Sequence, residues 1–278
     1  MQITPRPVID ITARNLARVP ASRGGNPISF IVIHYLGVDG QNPDLYCVNG
    51  ECGYGGHYNI FWNGDTYMAA DPKTAVVWQC GGGRQGYDPG SASFFGICTN
   101  FNSIGIECSV HYDGTWYFTE ETQEALVYLV STLMDKYGIS MDHVIRHWDV
   151  TGKHCPAPYV ENTGYKTNWT WDQFKQILKD YRSKGDEDEV IKEIFEKVKV
   201  KEIYKGLPVR TVVNLKDGDK LNVRLAPRSD APVNPAWKTL GAGNKVRESC
   251  RFTNNWAGII IDHGEKSTVG YVNAKYLK

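Results

Sequence analysis

The sequence lacks long apolar segments and has no excess of charge of either sign. No stretch of its 278 residues approaches the roughly 18 to 20 apolar residues that a membrane-spanning helix needs. The opening residues, MQITPRPVIDITARN, lack the apolar core of a secretory signal. We therefore expect a soluble protein with no transmembrane segment and no export signal of its own. The length exceeds one typical domain, which favours two.

Cysteine is present, but its pattern excludes a small scaffold held together by disulfides. The seven cysteines (47, 52, 80, 98, 108, 155 and 250) are widely dispersed, and their number is odd. Cys47 and Cys52 are close enough in sequence for a small disulfide loop, whereas a protein made in the cytoplasm keeps its thiols reduced. We predict free thiols, and the odd count leaves one cysteine for another role.

The overall formal charge is zero, but the two parts of the chain differ. Residues 206–278 contain 12 Lys and Arg against 6 Asp and Glu, so this tail carries +6 and the rest of the chain −6. The asymmetry favours an anionic partner for the tail, either a nucleic acid or another phosphate-bearing polymer. An ordinary solvated surface is the alternative.

Strand signals dominate the first hundred residues. Residues 28–35 form a short apolar run with His34 near its end, which predicts a buried strand. Residues 57–62 predict a second strand, and the following Asn63-Gly64 is typical of a tight hairpin turn. Residues 104–110 predict a third strand.

Helix signals follow the strands. Apolar residues between 126 and 137 recur at helical spacing, and Gly138 stands where a C-cap is expected. Thr170 and Gln173 match a capping box ahead of a second amphipathic helix. Strands and helices together predict an α/β domain over residues 1–182.

The remaining chain changes character twice. Residues 183–206 are rich in charge, with a narrow apolar stripe from Val190 to Val198, and predict a linker containing a short helix that docks within the chain. Pairing of this stripe with another chain is the alternative. Residues 207–278 show short strand patterns separated by turn residues, which predicts a small all-β barrel.

The segment 146–158 carries the strongest chemical signal. It reads RHWDVTGKHCPAP, and its glycine and prolines predict a loop rather than a helix. Such a loop can bring His147 and Cys155 to one ion, with His34 at a strand end as a third ligand. Two imidazoles and one thiolate suit Zn²⁺, and three protein ligands leave a position open for a water. Packed or surface histidines are the alternative.

Four motifs in order resemble the type 2 N-acetylmuramoyl-L-alanine amidases, the family that includes phage lysozyme-type amidases and relatives of animal peptidoglycan recognition proteins. The motifs are IVIH ending at His34, GGHY around His57, NSIGIE ending at Glu107, and His147 followed by KHCP. They span about residues 28–160. The resemblance implies an α/β fold with a central mixed β-sheet flanked by helices.

The resemblance also assigns roles. His34, His147 and Cys155 match the ligands of one Zn²⁺ ion, which gives the odd cysteine its role. Glu107 matches the general base, and a salt-bridged structural glutamate is the alternative. Lys153 matches a lysine that stabilises the tetrahedral oxyanion, and a surface lysine is the alternative.

The chain departs from the family pattern at two positions near the expected groove. Gly56 stands where some relatives have a tyrosine, which removes a tyrosine-assisted mechanism at that position. Gln79 stands where many relatives have a histidine after a tryptophan, which puts substrate positioning on that side in doubt. The residues expected to contact substrate are Tyr35, His57, Asn59 and Trp78. For His57 a structural role is the alternative.

Residues 208–278 resemble bacterial SH3-type domains that bind cell walls. The segments LNVRLAP, WAG and VGYVNAKYL carry this resemblance. It implies that Trp237, Trp256 and Tyr271 contact a glycan or peptide, although some of these rings must fill the barrel. The partners implied are bacterial peptidoglycan and anionic wall polymers rather than nucleic acid.

Together these resemblances imply an enzyme that hydrolyses the bond between N-acetylmuramic acid and L-alanine. A wall-binding tail without an export signal is typical of a phage or prophage endolysin, made in the host cytoplasm and acting on the wall after release. A host autolysin is a variant of this interpretation. The rivals are a non-catalytic peptidoglycan receptor and a structural zinc site with His57 or His154 as fourth ligand.

Overall fold

A computed structural model describes residues 3, 5–14, 21–40, 55–81, 83–263 and 266–278. The chain divides into two compact units, Met1–Tyr181 and Arg182–Lys278. Cys47 and Cys52 lie outside the described residues, and the five described cysteines are free thiols. None of the described helices is long and apolar enough to cross a membrane.

The N-terminal unit is built on a mixed sheet. Its described strands, in chain order, are β1 (Val8–Asp10), β2 (Ala21–Ser22), β3 (Phe30–Asp39), β4 (Tyr58–Ile60), β5 (Thr66–Met68), β6 (Ala75–Val76), β7 (Ser103–Tyr112), β8 (Trp116–Tyr117) and β9 (Val144–Arg146). The main sheet has the order β1-β5-β4-β7-β3-β9, with β8 added to β7, while β2 pairs with β6.

The long strands β3 and β7 lie inside this sheet and pair in parallel. Strand β9 is parallel to β3 and β4 is parallel to β7, whereas β4 and β5 are antiparallel. The mixed central sheet is therefore confirmed. Since β3 and β7 are flanked on both sides, their apolar residues are buried on both faces of the sheet, as expected for parallel strands.

Helix α1 (Glu120–Tyr137) confirms the first predicted helix. The Thr119 hydroxyl accepts a hydrogen bond from the Thr122 backbone N–H at its start, and Gly138 ends it with a left-handed φ of 66°. Its apolar face joins the residues of β3 and β7 in the main core of this unit. The spacing of apolar residues thus predicted both the element and its buried face.

Two helix predictions are corrected. The segment predicted as a loop begins with the short helix α2 (His147–Thr151), which Gly152 ends with a φ of 82°. The predicted second helix and the predicted linker helix are one helix, α3 (Trp171–Lys197). The capping box is confirmed, because Gln173 accepts from the Thr170 N–H and donates its own N–H to the Thr170 hydroxyl. The prediction of a break is wrong because Glu and Lys are good helix formers, so the charge-rich segment continues the helix.

The C-terminal unit is largely antiparallel. Its described strands are β10 (Val200–Ile203), β11 (Val209–Thr211), β12 (Leu221–Asn222), β13 (Thr239–Leu240), β14 (Lys245–Phe252), β15 (Trp256–His263) and β16 (Lys266–Asn273). The main sheet has the order β10-β14-β15-β16, and β11 also pairs with β14. Strands β12 and β13 pair in a separate two-stranded sheet. The apolar stripe of α3 packs in this unit, where Ile194 is buried with Ala226 and Ala231.

Candidate metal centre

His34 is the fifth residue of β3. Parallel pairing with β7 and β9 buries this part of the strand, and only 2% of the His34 surface is exposed. Its Cα partner across β7 is Glu107, so both side chains project from the same face of the sheet. The imidazole and the carboxyl group are therefore neighbours in the fold, although 73 positions of numbering separate them.

His147 and Cys155 reach the same place through β9 and the turn that follows it. Helix α2 starts at His147, directly after β9, and the His147 and His34 ring centroids lie 4.7 Å apart. Gly152 ends the helix, and the Trp148 N–H donates to the Cys155 carbonyl at 2.8 Å. This hydrogen bond places Cys155 beside the first turn of α2.

The three side chains form a buried donor cluster. One ligand atom from each of His34, His147 and Cys155 lies within 4.8 Å of the others. The Cys155 Sγ is 3.6 Å from His34 Nδ1, and both ring nitrogens of His147 are buried with no hydrogen-bond partner. Buried polar atoms are normally satisfied, so an unpartnered imidazole beside a thiol fits a bound cation. Two imidazoles and one thiolate are a donor set typical of zinc.

Burial keeps both imidazoles neutral, as metal ligation requires. It lowers the pKa of His34 well below its ordinary value, with the nearby His147 as a further cause. It also lowers the pKa of His147 to about 4, helped by the charge of Lys153. Burial raises the pKa of the Cys155 thiol, so a cation must replace its proton when it binds.

Neither histidine proposed as a fourth ligand belongs to this cluster. The Gly105 N–H donates to His57 Nδ1 at 3.0 Å, and His57 Nε2 lies 3.2 Å from the Ala75 carbonyl. His154 Nε2 instead contacts the carboxylate of Asp88 at 2.6 Å, in an exposed position. Among the described residues the cluster has three donors, which is the composition of an open site rather than a closed structural one.

Glu107 lies deep beside this cluster. Strand pairing places it between His34 on β3 and Asn59 on β4. Burial raises the pKa of Glu107 to about 8, and the positive charge of Lys153 opposes that rise. A carboxyl group with a pKa near neutrality can both accept and release a proton under ordinary conditions.

Lys153 lies in the turn between α2 and Cys155. Its side chain is exposed, yet its charge lowers the pKa of His34, His147 and Cys155 as well as that of Glu107. The charge of Lys153 therefore favours the deprotonated forms of Cys155 and Glu107.

Gln79 is the residue of this site that sequence reasoning missed. Its side chain is buried, and its Oε1 lies 2.6 Å from His34 Nε2. Its own Nε2 donates to the Ser103 hydroxyl at 2.6 Å. The sequence marked this position only as a departure from a family pattern, and nothing local indicated a contact with His34.

The four residues predicted to contact substrate lie in different environments. His57 is fully buried with both ring nitrogens engaged in the fold, which favours its structural alternative. Asn59 is buried on the row of Glu107, and its Nδ2 has no hydrogen-bond partner. Tyr35 is half-buried with its ring 5.5 Å from that of Tyr165, and Trp78 is exposed.

The three aromatic residues predicted to bind the wall all pack within the C-terminal unit. Trp256 is buried, and Trp237 packs against the core of that unit. Tyr271 contacts the rings of Phe195 and Phe252, with centroids 5.4 and 5.7 Å apart. Each ring therefore has a packing role.

The N-terminal unit is thus an α/β domain whose sheet carries an open cluster of metal donors beside a buried carboxyl group. Residues 24–158 match the N-acetylmuramoyl-L-alanine amidase family. That range includes His34, Glu107, His147, Lys153 and Cys155.

Two curated proteins that are similar to part of this chain are also named N-acetylmuramoyl-L-alanine amidases. A probable N-acetylmuramoyl-L-alanine amidase of Bacillus licheniformis is 42% identical over 72 residues, which cover 26% of this chain and 20% of that protein. The amidase BlyA of Bacillus subtilis (strain 168) is 29% identical over 138 residues, covering 42% of this chain and 36% of that protein. The matches thus cover about a fifth to a third of these relatives.

Solved structures similar to this chain include an amidase and a peptidoglycan recognition protein. The amidase LysC from Clostridium intestinale URNW is 23% identical, covers 63% of this chain and 99% of its own, and has a TM-score of 0.43. The Drosophila peptidoglycan recognition protein SD is 16% identical, covers 58% and 96% of the two chains, and has a TM-score of 0.38. Residues 24–158 are therefore similar to N-acetylmuramoyl-L-alanine amidases, over a little less than half of this chain.

Proposed function

We propose that this protein is a type 2 amidase that hydrolyses the amide bond between N-acetylmuramic acid and L-alanine in bacterial peptidoglycan. The observation that carries the proposal is the buried cluster of His34, His147 and Cys155, open to a further ligand and lying beside Glu107. The amidase family match spans all four residues.

The proposed reaction needs an electrophile and a proton carrier at the same place. A Zn²⁺ ion held by His34, His147 and Cys155 would supply a Lewis acid that polarises the scissile carbonyl and lowers the pKa of a water. Glu107 accepts a proton from the attacking water. It then delivers that proton to the nitrogen of L-alanine as the carbon–nitrogen bond breaks, which leaves a carboxyl group on the lactyl side and a free amine on the peptide.

Lys153 supplies the remaining charge that the reaction needs. Negative charge develops on the carbonyl oxygen in the transition state, and an ammonium group beside it stabilises that charge. The electrostatic influence of Lys153 on His34, His147, Cys155 and Glu107 supports this role.

The C-terminal unit is proposed to be an SH3-like wall-binding domain over residues 207–278. Its basic charge and antiparallel strands are compatible with a tether to an anionic wall polymer. A binding module raises the effective concentration of an insoluble substrate without changing the chemistry. On this proposal the catalytic domain spans 1–182 and the whole protein lyses cell walls as an endolysin does.

The test is release of new N-terminal alanine from purified Gram-positive sacculi, with and without a chelator and after zinc is restored. We expect alanine release that the chelator abolishes and zinc restores, with no new reducing sugar ends. Zinc content measured in parallel establishes the metal itself. Binding to sacculi without any release would instead establish the receptor alternative and refute the amidase.

A further inference from the structure

The hydrogen bonds of Gln79 form a chain that starts at His34 and ends on a backbone carbonyl. Gln79 Oε1 lies 2.6 Å from His34 Nε2, and Gln79 Nε2 lies 2.6 Å from the Ser103 hydroxyl oxygen. The Ser103 hydroxyl in turn lies 2.5 Å from the Thr99 carbonyl oxygen. All three side chains are buried.

The carbonyl at the end gives this chain a direction. The Thr99 oxygen can only accept, so the Ser103 hydroxyl donates its single proton there. Ser103 must then accept from Gln79, which places the amide NH₂ group toward Ser103 and the amide oxygen toward His34. An oxygen acceptor requires a proton on His34 Nε2. In a neutral imidazole the lone pair therefore resides on Nδ1, the nitrogen that faces Cys155 Sγ at 3.6 Å.

Close packing and hydrogen bonds hold Gln79. Its amide packs on Gly105, where a Cβ would lie 2.8 Å from Gln79 Oε1 and 2.9 Å from its Cδ, so a side chain at this position would displace the amide. The backbone N–H groups of Gln79 and Cys80 both donate to Asn100 Oδ1, at 3.0 and 2.9 Å. The amide is thus held from its backbone and along its side chain.

We propose that Gln79 is a positioning residue that fixes His34 as the Nε2–H tautomer and so aims Nδ1 at the metal position. This inference rests on the proposed zinc site, since it concerns how one ligand of that site is oriented. An outer partner of this kind normally changes metal affinity by roughly 10- to 100-fold. A neutral amide performs the orienting role without adding a negative charge near the cluster.

The test compares four single variants in the full chain. Gln79→Met removes the acceptor while keeping the length, and Gln79→Glu keeps an acceptor for His34. Ser103→Ala leaves the amide free to turn. Gln85→Met is the matched control, because the Gln85 side chain is exposed and its contact with α2 is made by the backbone N–H, which methionine retains. Zinc affinity is measured by competition with a chelating dye, and the His34 tautomer by long-range ¹H–¹⁵N NMR with and without zinc.

We expect Gln79→Met to weaken zinc binding roughly 10- to 100-fold relative to Gln85→Met. Gln79→Glu should stay within a few-fold of the parent, and Ser103→Ala should fall between the two. The parent should show His34 protonated on Nε2 even without zinc. Circular dichroism and thermal melting establish that each variant is folded, and Ser103→Ala carries the comparison if a Gln79 variant is not.

Two results would overturn the inference. One is a His34 protonated on Nδ1 in the parent, and the other is a Gln79→Met affinity equal to that of Gln85→Met. Failure of the proposed zinc site has a different signature, because the parent itself would then bind no zinc. Failure of the amidase activity alone would leave the zinc affinities and the tautomer as expected, with no alanine released. The NMR measurement on the metal-free parent still decides the tautomer in that case.

Discussion

Glu107 occupies a space that Gly56 leaves for it. A Cβ at Gly56 would lie 2.9 Å from Glu107 Cγ and 2.9 Å from the Tyr58 carbonyl oxygen, closer than side-chain atoms tolerate. The lack of a side chain at Gly56 therefore leaves room for the buried carboxyl group of Glu107.

The raised pKa of Glu107 predicts that this residue destabilises the metal-free fold at neutral pH. Its pKa is about 8 in the folded protein against an ordinary value of 4.5. The folded state therefore binds the proton more tightly than the unfolded state does. The stabilisation that comes from this protonated carboxyl group is complete below pH 4.5 and is lost as pH rises through about 8. We expect Glu107→Gln to stabilise the chelator-treated protein by on the order of 2 kcal/mol at pH 7.

The measurement is thermal unfolding at pH 4.5 and pH 8. The gain in stability from Glu107→Gln should be large at pH 8 and small at pH 4.5. The amidase activity of the zinc-loaded variant should fall by about 100-fold or more. Glu161→Gln, on an exposed glutamate, is the control and should change neither. An equal gain at both pH values would show that ionisation of Glu107 is not the cause.

Lys153 gives a prediction that separates catalysis from metal binding. We expect Lys153→Met to lower kcat about 100-fold, because removing one oxyanion-stabilising group costs about that much. Zinc content should stay unchanged, since Lys153 is a cation and cannot be a ligand. The control is Lys166→Met, at an exposed lysine paired with Asp113. Loss of zinc from the Lys153 variant would contradict the assigned role.

At the scale of elements, the site depends on how α2 and its following turn pack against the loop before them. The Thr151 carbonyl accepts from the Gln85 N–H at 2.7 Å, and the Trp148 carbonyl accepts from the Ala92 N–H at 3.0 Å. Asp149 accepts from the Arg146 backbone N–H at 2.7 Å and caps the start of the helix. A five-residue helix has little stability alone, so these contacts fix its position.

The close approach of Gly152 to Gly86 gives the element-scale prediction. A Cβ at Gly152 would lie 2.5 Å from the Gly86 carbonyl oxygen, and its φ is 82°. We expect Gly152→Ala to destabilise the protein by about 2 to 4 kcal/mol and to weaken zinc binding, because α2 and Cys155 must shift.

A second helix-ending glycine supplies the control for this prediction. Gly138 ends α1 with a φ of 66° and has no atom within 4 Å of a Cβ placed there. Gly138→Ala therefore bears only the conformational cost, about 1 kcal/mol, and should leave zinc affinity unchanged. Equal losses of stability in the two variants, measured by urea unfolding, would show that the contact with Gly86 contributes nothing.

At the scale of the whole molecule, the division of the chain falls within α3. The N-terminal unit ends at Tyr181, whereas α3 continues to Lys197. Ile194 on this second half is buried in the C-terminal unit. A boundary drawn at residue 206, after the predicted linker, would therefore leave an apolar stripe without its packing partners.

We expect a protein ending at residue 182 to keep activity on soluble muropeptides and to lose most of its activity on sacculi. The main core of the N-terminal unit lies before this point, and the proposed wall tether lies after it. Alanine release from the two substrates measures the difference. Equal losses on both would refute a tethering role for the C-terminal unit.

A protein ending at residue 206 is the comparison for this truncation. Its exposed stripe around Ile194 should cause self-association, which size-exclusion chromatography with light scattering detects. A monomer as well behaved as the shorter protein would place the packing of α3 in doubt. Both truncations retain every residue of the candidate metal centre.

The sequence alone located the long strands and the first helix, and it nominated the members of the metal cluster. Apolar periodicity and caps located α1, β3 and β7, because these signals depend on residues a few positions apart. The ordered motifs nominated His34 and Cys155. Only the tertiary structure decided that these two residues, 121 positions apart, lie 3.6 Å from each other.

The tertiary structure also decided the features that depend on long-range packing. Gln79 contacts His34 across 45 positions of sequence, and Trp256 is buried. The pKa of Glu107 rises because neighbouring strands exclude water from its carboxyl group. Hydrogen bonding and desolvation depend on which atoms the folded chain brings together, and strand register sets that choice. Local sequence carries no record of that register, so these properties become visible only in the folded chain.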